Sequence, residues 1–265
     1  MRISEITSYL ESIAPLSLQE SYDNSGLLVG DRNAEVDGAL ICLDVTPGVV
    51  EEAIMLGTGL IVGHHPLIFK GLKRLTGQSA VERAVIQAIR HDIAIYAIHT
   101  NLDNVLRDGV NGRIADRLGL ASRSVLAPMD TPLGAGYGAG IVGQLSEPVP
   151  EEAFLAYLKE KMELRVIRHT PFLGQPVQTI AICGGSGSFL LPAAIDSGAG
   201  FYVSADFKYH DFFDADEKIV IADIGHFESE RFTIDLIGDL IRRKFPNFAA
   251  RLTTTVTNPI TYYSG

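Results

Sequence analysis

Ala39-Leu40-Ile41-Cys42-Leu43, running into Asp44-Val45-Thr46-Pro47, is the stretch that decides the fold. An uninterrupted apolar run of this length predicts a strand covered on both faces, because a one-sided strand would alternate with polar residues. Thr46 is placed to cap a helix and Pro47 to occupy its first turn, with the helix passing through Glu51, Glu52 and Ile54 to a stop at Gly57. Leu60-Ile61-Val62-Gly63 reads as the next strand, Ser79 to Arg90 as a second helix, and Ile93-Ala94-Ile95-Tyr96-Ala97-Ile98 as a third strand. The rhythm is β-α-β-α-β, so the chain is read as an α/β protein with a mostly parallel sheet and flanking helices. Upstream, Ser4 is the expected N-cap of a helix that carries Ile6, Leu10 and Ile13 on one face and stops at Pro15.

Downstream, a stretch rich in Gly and Pro from Pro128 to Gly143 breaks the rhythm and marks the expected boundary between two lobes. The first lobe is then residues 1–127, joined by a returning C-terminal segment 245–265, and the second is residues 128–244. In the second lobe Pro150 to Glu163 reads as a helix, Thr179-Ile180-Ala181-Ile182-Cys183 as a strand and Gly187 to Ala199 as a helix. Phe201-Tyr202-Val203 and Ile219-Val220-Ile221-Ala222 follow as strands, then a helix from Glu228 to Lys244 and a Thr-rich strand from Arg251 to Thr257. Cys42 to His64 and Cys183 to Ala205 are equal intervals of 22 positions, and both run strand, glycine turn, helix, strand, polar loop. That equality is compatible with a degenerate internal duplication giving two similar lobes.

Composition bounds the function classes. The 265 residues are 46% hydrophobic and 20% charged, ordinary for a globular protein, and the formal net charge is −10. A surface that acidic repels phosphate backbones, so nucleic acid is not an expected partner. No apolar run is long enough for a membrane span, and Met1-Arg2-Ile3-Ser4-Glu5 has no signal-peptide pattern. The two cysteines, Cys42 and Cys183, each sit in an apolar strand and are expected as buried thiols. A cytoplasmic location follows as the default expectation.

The chemistry is carried by histidines. Of seven, four lie just after buried strands: His64-His65, locked by Pro66; His99, with Asp103 four residues on; and His226, with Glu230 four residues on at the start of a helix. A His and a carboxylate four apart on a helix share one face. Imidazoles and carboxylates in this number suffice for a pair of divalent ions, whereas two cysteines exclude a four-thiolate zinc site. His91 and His169 fall at a helix end and in a loop, away from this pattern. Gly184-Gly185-Ser186-Gly187 reads first as a tight strand-to-helix turn, with a phosphate at the helix N-terminus as the alternative.

Five segments together resemble the NIF3 family, the YbgI-type dinuclear-metal-centre proteins also called GTP cyclohydrolase 1 type 2 homologues. They are Tyr22-Asp23-Asn24-Ser25-Gly26-Leu27-Leu28-Val29-Gly30, Gly63-His64-His65-Pro66-Leu67, His99-Thr100-Asn101-Leu102-Asp103, Asp206-Phe207-Lys208-Tyr209-His210 and Gly225-His226-Phe227-Glu228-Ser229-Glu230. The resemblance implies a two-lobed α/β chain with a dinuclear site in the cleft between lobes, assembling into a homo-oligomer, a hexameric ring. It implies His64, His65, Asp103, His226 and Glu230 as metal ligands, and two divalent ions per chain drawn from Zn, Fe, Mn, Co and Ni. His99 is implied as a proton-handling neighbour or a support for a ligand. Lys208 and His210, with Asp23 and Asn24, are implied as substrate-facing groups. Two departures from the family pattern stand out: Tyr22 where many members have Trp, and a segment between the lobes too short for the large insertion common in the family.

The activity expected on this basis is metal-dependent hydrolysis of a nucleotide or another phosphate-bearing small molecule, with Glu230 or His99 moving the proton. GTP cyclohydrolase-like chemistry is one form of it. The alternative is a non-enzymatic metal chaperone, metal store or regulatory protein, which needs the ligands but not His99, Lys208 or a substrate cleft.

Overall fold

The computed structural model describes residues 1–263, and two units emerge from it: Met1–Leu102 together with the segment that begins at Thr233, and Asp103–Phe232. The first unit opens with α1 (Ile3–Ile13), β1 (Gly26–Val29), β2 (Gly38–Cys42), α2 (Pro47–Leu56), β3 (Leu60–Gly63), α3 (Ala80–Arg90) and β4 (Ala94–Ala97). A short α4 (Thr100–Asp103) carries the chain onward. The second unit contains α5 (Val110–Arg117), β5 (Ala121–Pro128), β6 (Gly138–Val149), α6 (Glu151–Lys161), β7 (Arg168–His169), β8 (Val177–Ser186), α7 (Leu191–Asp196), β9 (Phe201–Ala205), β10 (Val220–Asp223) and α8 (His226–Glu230). The chain then returns to the first unit as α9 (Thr233–Lys244) and β11 (Ala249–Leu252).

The first unit's sheet has the order β1-β4-β3-β2-β11, parallel throughout except for β1 at one edge. Every residue of β2, β3 and β4 is buried, as the apolar runs predict. One face packs Leu40, Ile61 and Ile95 against Val49, Val50 and Ala53 of α2 and Ala84, Val85 and Ala88 of α3. Helices α1 and α9 pack on each other, and α9 packs on β2 and β11. Thr46 caps α2 by accepting from Val49 N, and Gly57 ends it in the left-handed conformation at φ 64°. Helix α1 begins two residues earlier than Ser4 would cap it, with Arg2 as the N-cap and Glu5 reaching back to the Arg2 N–H.

The second sheet runs β5-β6-β8-β9-β10-β7. Only β8, β9 and β10 are mutually parallel; the β5–β6, β6–β8 and β10–β7 pairs are antiparallel, so this sheet is mixed rather than mostly parallel. In the first sheet four parallel strands end at an antiparallel edge and in the second three do, and β2–β3 and β8–β9 pair with the same sequence separation (Ile41 with Val62, Ile182 with Val203). Phe154 of α6 meets Phe201 edge-on at 4.8 Å between ring centroids, while Leu126, Ala181, Leu191 and Ile221 pack together in one cluster.

The unit boundaries differ from the expected 127/128 and 244/245. Residues from Asp103 onward join the second unit, because α5 packs on β6 and β8, and the Pro128–Gly143 stretch lies within the β5–β6 hairpin, with its turn at 129–137 and Gly138 to Gly143 already in β6. The helix expected from Glu228 to Lys244 is two helices, interrupted at Arg231 and Phe232, and α9 belongs to the first sheet. Among the described residues no helix is long and apolar enough to cross a membrane, and both cysteines are buried and unpaired by disulfide.

A carboxylate fastens the C-terminal segment to the first unit. Glu52, only 7% exposed, accepts from the Thr253, Thr254 and Thr255 hydroxyls and from the Thr254 and Thr255 amides. Burial raises its pKa, but these hydrogen bonds outweigh it and hold the group at about 2 against an ordinary 4.5. A depressed pKa contributes stability that is fully present above the ordinary value and lost as pH falls from about 4.5 toward about 2. Glu52→Gln is expected to cost about 2 kcal/mol at neutral pH. It should also flatten the fall in stability across that acid window, measured by denaturant unfolding at a series of pH values; an unchanged acid limb would contradict the clamp.

Candidate metal centre

In the first unit the site grows from the C-terminal ends of parallel strands, where an α/β sheet leaves room for ligands. Beyond β2 the chain continues as a rail: Cys42 O accepts from His64 N at 3.1 Å and Leu43 O from His65 N at 2.9 Å. A Cβ on Gly63 would stand 2.8 Å from Val45 Cγ2, so glycine lets the His-His pair lie this close to β2. His64, fully buried, donates from Nδ1 to Ile98 O at 2.8 Å. A carbonyl can only accept, so Nδ1 carries a proton and Nε2 is the nitrogen turned away from Ile98.

His65 and His99 repeat the arrangement with carboxylates. His65 Nδ1 lies 2.8 Å from Asp44 Oδ1, and His99 Nδ1 lies 2.9 Å from Asp23 Oδ1. The ring centroids of the three imidazoles are 4.9 to 5.2 Å apart, and a ligating nitrogen from each lies within 4.8 Å of the others. Asp23 is itself fixed by Ser25 Oγ and by the Thr100 amide and hydroxyl. Burial pushes its pKa up, yet the bonds from His99 and Thr100 prevail and hold it well below the usual carboxylate range. Asn24 donates from Nδ2 to Ile68 O at 2.6 Å.

The second unit carries a smaller set. Asp206 follows β9 with φ 59° and accepts from His226 Nδ1 at 2.7 Å. That leaves His226 Nε2 facing Glu230 Oε2 at 3.1 Å, the one-face geometry that the four-residue spacing predicts. Glu230 is 2% exposed. Its seat is made by glycine: Gly185 has φ 67°, and a Cβ there would stand 2.3 Å from Glu230 Oε1. The Gly185 amide donates to Ser229 Oγ, which donates to His226 O, and the Gly184 amide donates to Asn111 Oδ1. Asn111 also donates to Asp103 O at 3.1 Å, placing Asp103 on the same framework. These Gly184 and Gly185 amides are thus committed within the protein, so the glycine loop is a seat for Glu230 rather than a phosphate cradle. Cys183 beside it is pushed up to about 12 by burial and then by the charges of Asp103 and Glu230.

Lys208 and His210 lie exposed on the loop after β9, two and four residues beyond Asp206, and the His210 ring meets Tyr209 at 5.1 Å. His91 ends α3, and His169 lies in β7 stacked on Phe172.

Asp44 and Asp206, which orient His65 and His226, were not singled out by the histidine pattern. A signal was present, since each acid lies within two residues of the end of a buried strand, as His64, His65 and His99 do. Neutral imidazoles with Nδ1 pinned, together with carboxylate oxygens, are the donor chemistry of a borderline divalent cation, so the residues of each unit fit such an ion.

The family model described as Duf34/NIF3 (NGG1p interacting factor 3) matches residues 1–260. A protein of Campylobacter jejuni named GTP cyclohydrolase 1 type 2 homolog is 31% identical over 99% of this chain and 100% of its own length. A Lactococcus lactis protein of the same name is 35% identical over 91% of this chain and 92% of its own. Among solved structures, the Staphylococcus aureus hypothetical protein SA1388 matches with a TM-score of 0.90 at 30% identity, covering 99% of both chains. A Bacillus cereus protein related to NIF3 matches with a TM-score of 0.89 at 26% identity, again over 99% of both. The chain belongs to the Duf34/NIF3 family.

Proposed function

We propose that this chain is a dinuclear metal-dependent hydrolase acting on a nucleotide or another phosphate-bearing small molecule. The observation that carries it is the common state of four histidines. His64, His65, His99 and His226 each hold Nδ1 against an oxygen, which fixes the orientation of the ring and the direction in which Nε2 points. In this reading the ligands are His64, His65, Asp103, His226 and Glu230, and the ions are two divalent cations drawn from Zn, Fe, Mn, Co and Ni. Bound there, the ions would supply a water of lowered pKa and polarise the scissile group. Glu230 or His99 handles the proton, and Lys208 and His210 receive the anionic part of the substrate, with Asp23 acting through His99 and Asn24 at the edge. Assembly as a hexameric ring in the cytoplasm belongs to the same proposal.

A second reading, a metal chaperone or store, is favoured by one observation. His99 has the same carboxylate-pinned geometry as the ligand His65 and clusters with it, so it can serve as a further donor rather than as an acid–base group. The discriminating experiment loads the purified protein with each ion in turn and screens nucleotides, GTP included, and phosphoesters. The hydrolase reading expects metal-dependent turnover that falls about 10²- to 10⁴-fold in His99→Ala with metal content unchanged. Fully metallated protein that turns over none of them sinks it.

A further inference from the structure

We propose that Thr257 is a positioning residue for the metal centre, acting through Asp44 on His65. The inference rests on the reading of His65 as a metal ligand. The two oxygens of the Asp44 carboxylate are divided between partners: Oδ1 lies 2.8 Å from His65 Nδ1, and Oδ2 accepts from the Thr257 hydroxyl at 2.7 Å. Thr257 is 213 residues away in sequence, on a segment with no regular secondary structure of its own. That segment is held three residues earlier by Glu52, through Thr253, Thr254 and Thr255.

An imidazole is a better and better-aimed donor when its outer N–H is bonded to a carboxylate whose own position is fixed. Asp23, under His99, is fixed by Ser25 and Thr100 at the ends of β1 and β4. Asp44 lies two residues beyond the end of β2, and its side chain is 35% exposed, so solvent competes for it and its rotamer is not set by burial. The Thr257 hydroxyl supplies such a constraint. It selects the rotamer that presents Oδ1 to His65 and so fixes the direction of His65 Nε2. The C-terminal segment is therefore part of the metal centre, although it supplies no ligand.

The test is Zn²⁺ affinity of the full-length protein, read by competition with a chromophoric chelator, for wild type, Thr257→Val, Thr257→Ser and Asp44→Ala. Urea unfolding of each metal-free protein runs alongside. Thr257→Val is expected to weaken Zn²⁺ binding about tenfold and Asp44→Ala at least as much. Thr257→Ser, which keeps the hydroxyl, should bind like wild type, and the metal-free unfolding midpoint of Thr257→Val should stay at the wild-type value. Wild-type affinity in Thr257→Val overturns the proposal, as does equal weakening in the Ser variant or a loss of affinity matched by a lowered metal-free midpoint. If the wild type binds no Zn²⁺ while remaining folded, the underlying reading of His65 as a ligand fails instead, and this inference falls with it.

Discussion

Gly185→Ala is expected to abolish metal retention while leaving the protein folded. Two costs arise at this position and they fall on different properties. The backbone cost comes from φ 67°, a left-handed conformation that a Cβ disfavours by about 1–2 kcal/mol. The steric cost comes from a Cβ 2.3 Å from Glu230 Oε1 and 3.2 Å from Glu230 Cδ. The second is relieved by swinging the Glu230 carboxylate away, which is cheap for folding because only the end of a flexible side chain moves. It is ruinous for a ligand, because the oxygens leave the His226 Nε2 face they occupy at 3.1 Å. Gly198→Ala is the control: its φ of 73° imposes the same backbone strain, and nothing lies within 4 Å of the added carbon. Both variants should lose about 1–2 kcal/mol in urea unfolding, and only Gly185→Ala should come off a desalting column without metal. Equal metal content in the two would show that Glu230 does not need this seat.

That seat also shows where sequence reading stops. Strands β2, β3, β4, β8, β9 and β10 are legible because each is built around a short run of covered apolar residues, and no helix of that length is needed to explain them. Strand β5 is not, since Ser122, Arg123 and Ser124 give it an exposed, polar pattern and it is held by pairing with β6. Strand β6 hides behind its glycines: at Gly138 a Cβ would meet Ala127 O at 2.2 Å, so a residue that reads as a loop former is there for close strand approach. The site divides in the same way. Histidines after strands and the His226–Glu230 spacing are local patterns and are visible in the chain. Asp44 with Thr257, and Gly185 with Glu230, meet only through tertiary structure, across separations that no local period encodes.

The double variant His65→Ala/Glu230→Ala should take the metal content from about two ions per chain to none, and its metal-free form should lose little stability. The first half follows from the distribution of donors. Each unit contributes one of the two altered residues, so neither the His64-His65-His99 cluster nor the His226–Glu230 pair remains whole. The second half follows from electrostatics. His65 is partly exposed and leaves Asp44 bonded to Thr257, so its loss removes one hydrogen bond worth about 1 kcal/mol. Glu230 is buried, and its carboxylate shares with Asp103 a neighbourhood in which both charges act on Cys183. Deleting a buried carboxylate that has a second carboxylate nearby relieves repulsion and desolvation while it opens a small cavity, and the two effects oppose each other. A core residue of the same burial, such as Ile182, behaves otherwise: Ile182→Ala should cost about 2–5 kcal/mol with nothing to offset it. The contrast is the measurement. Elemental analysis paired with urea unfolding of the metal-free proteins should place the double variant close to wild type in stability and at zero in metal. Retention of two ions would refute the ligand assignment, whereas a stability loss as large as that of Ile182→Ala would mark these side chains as structural.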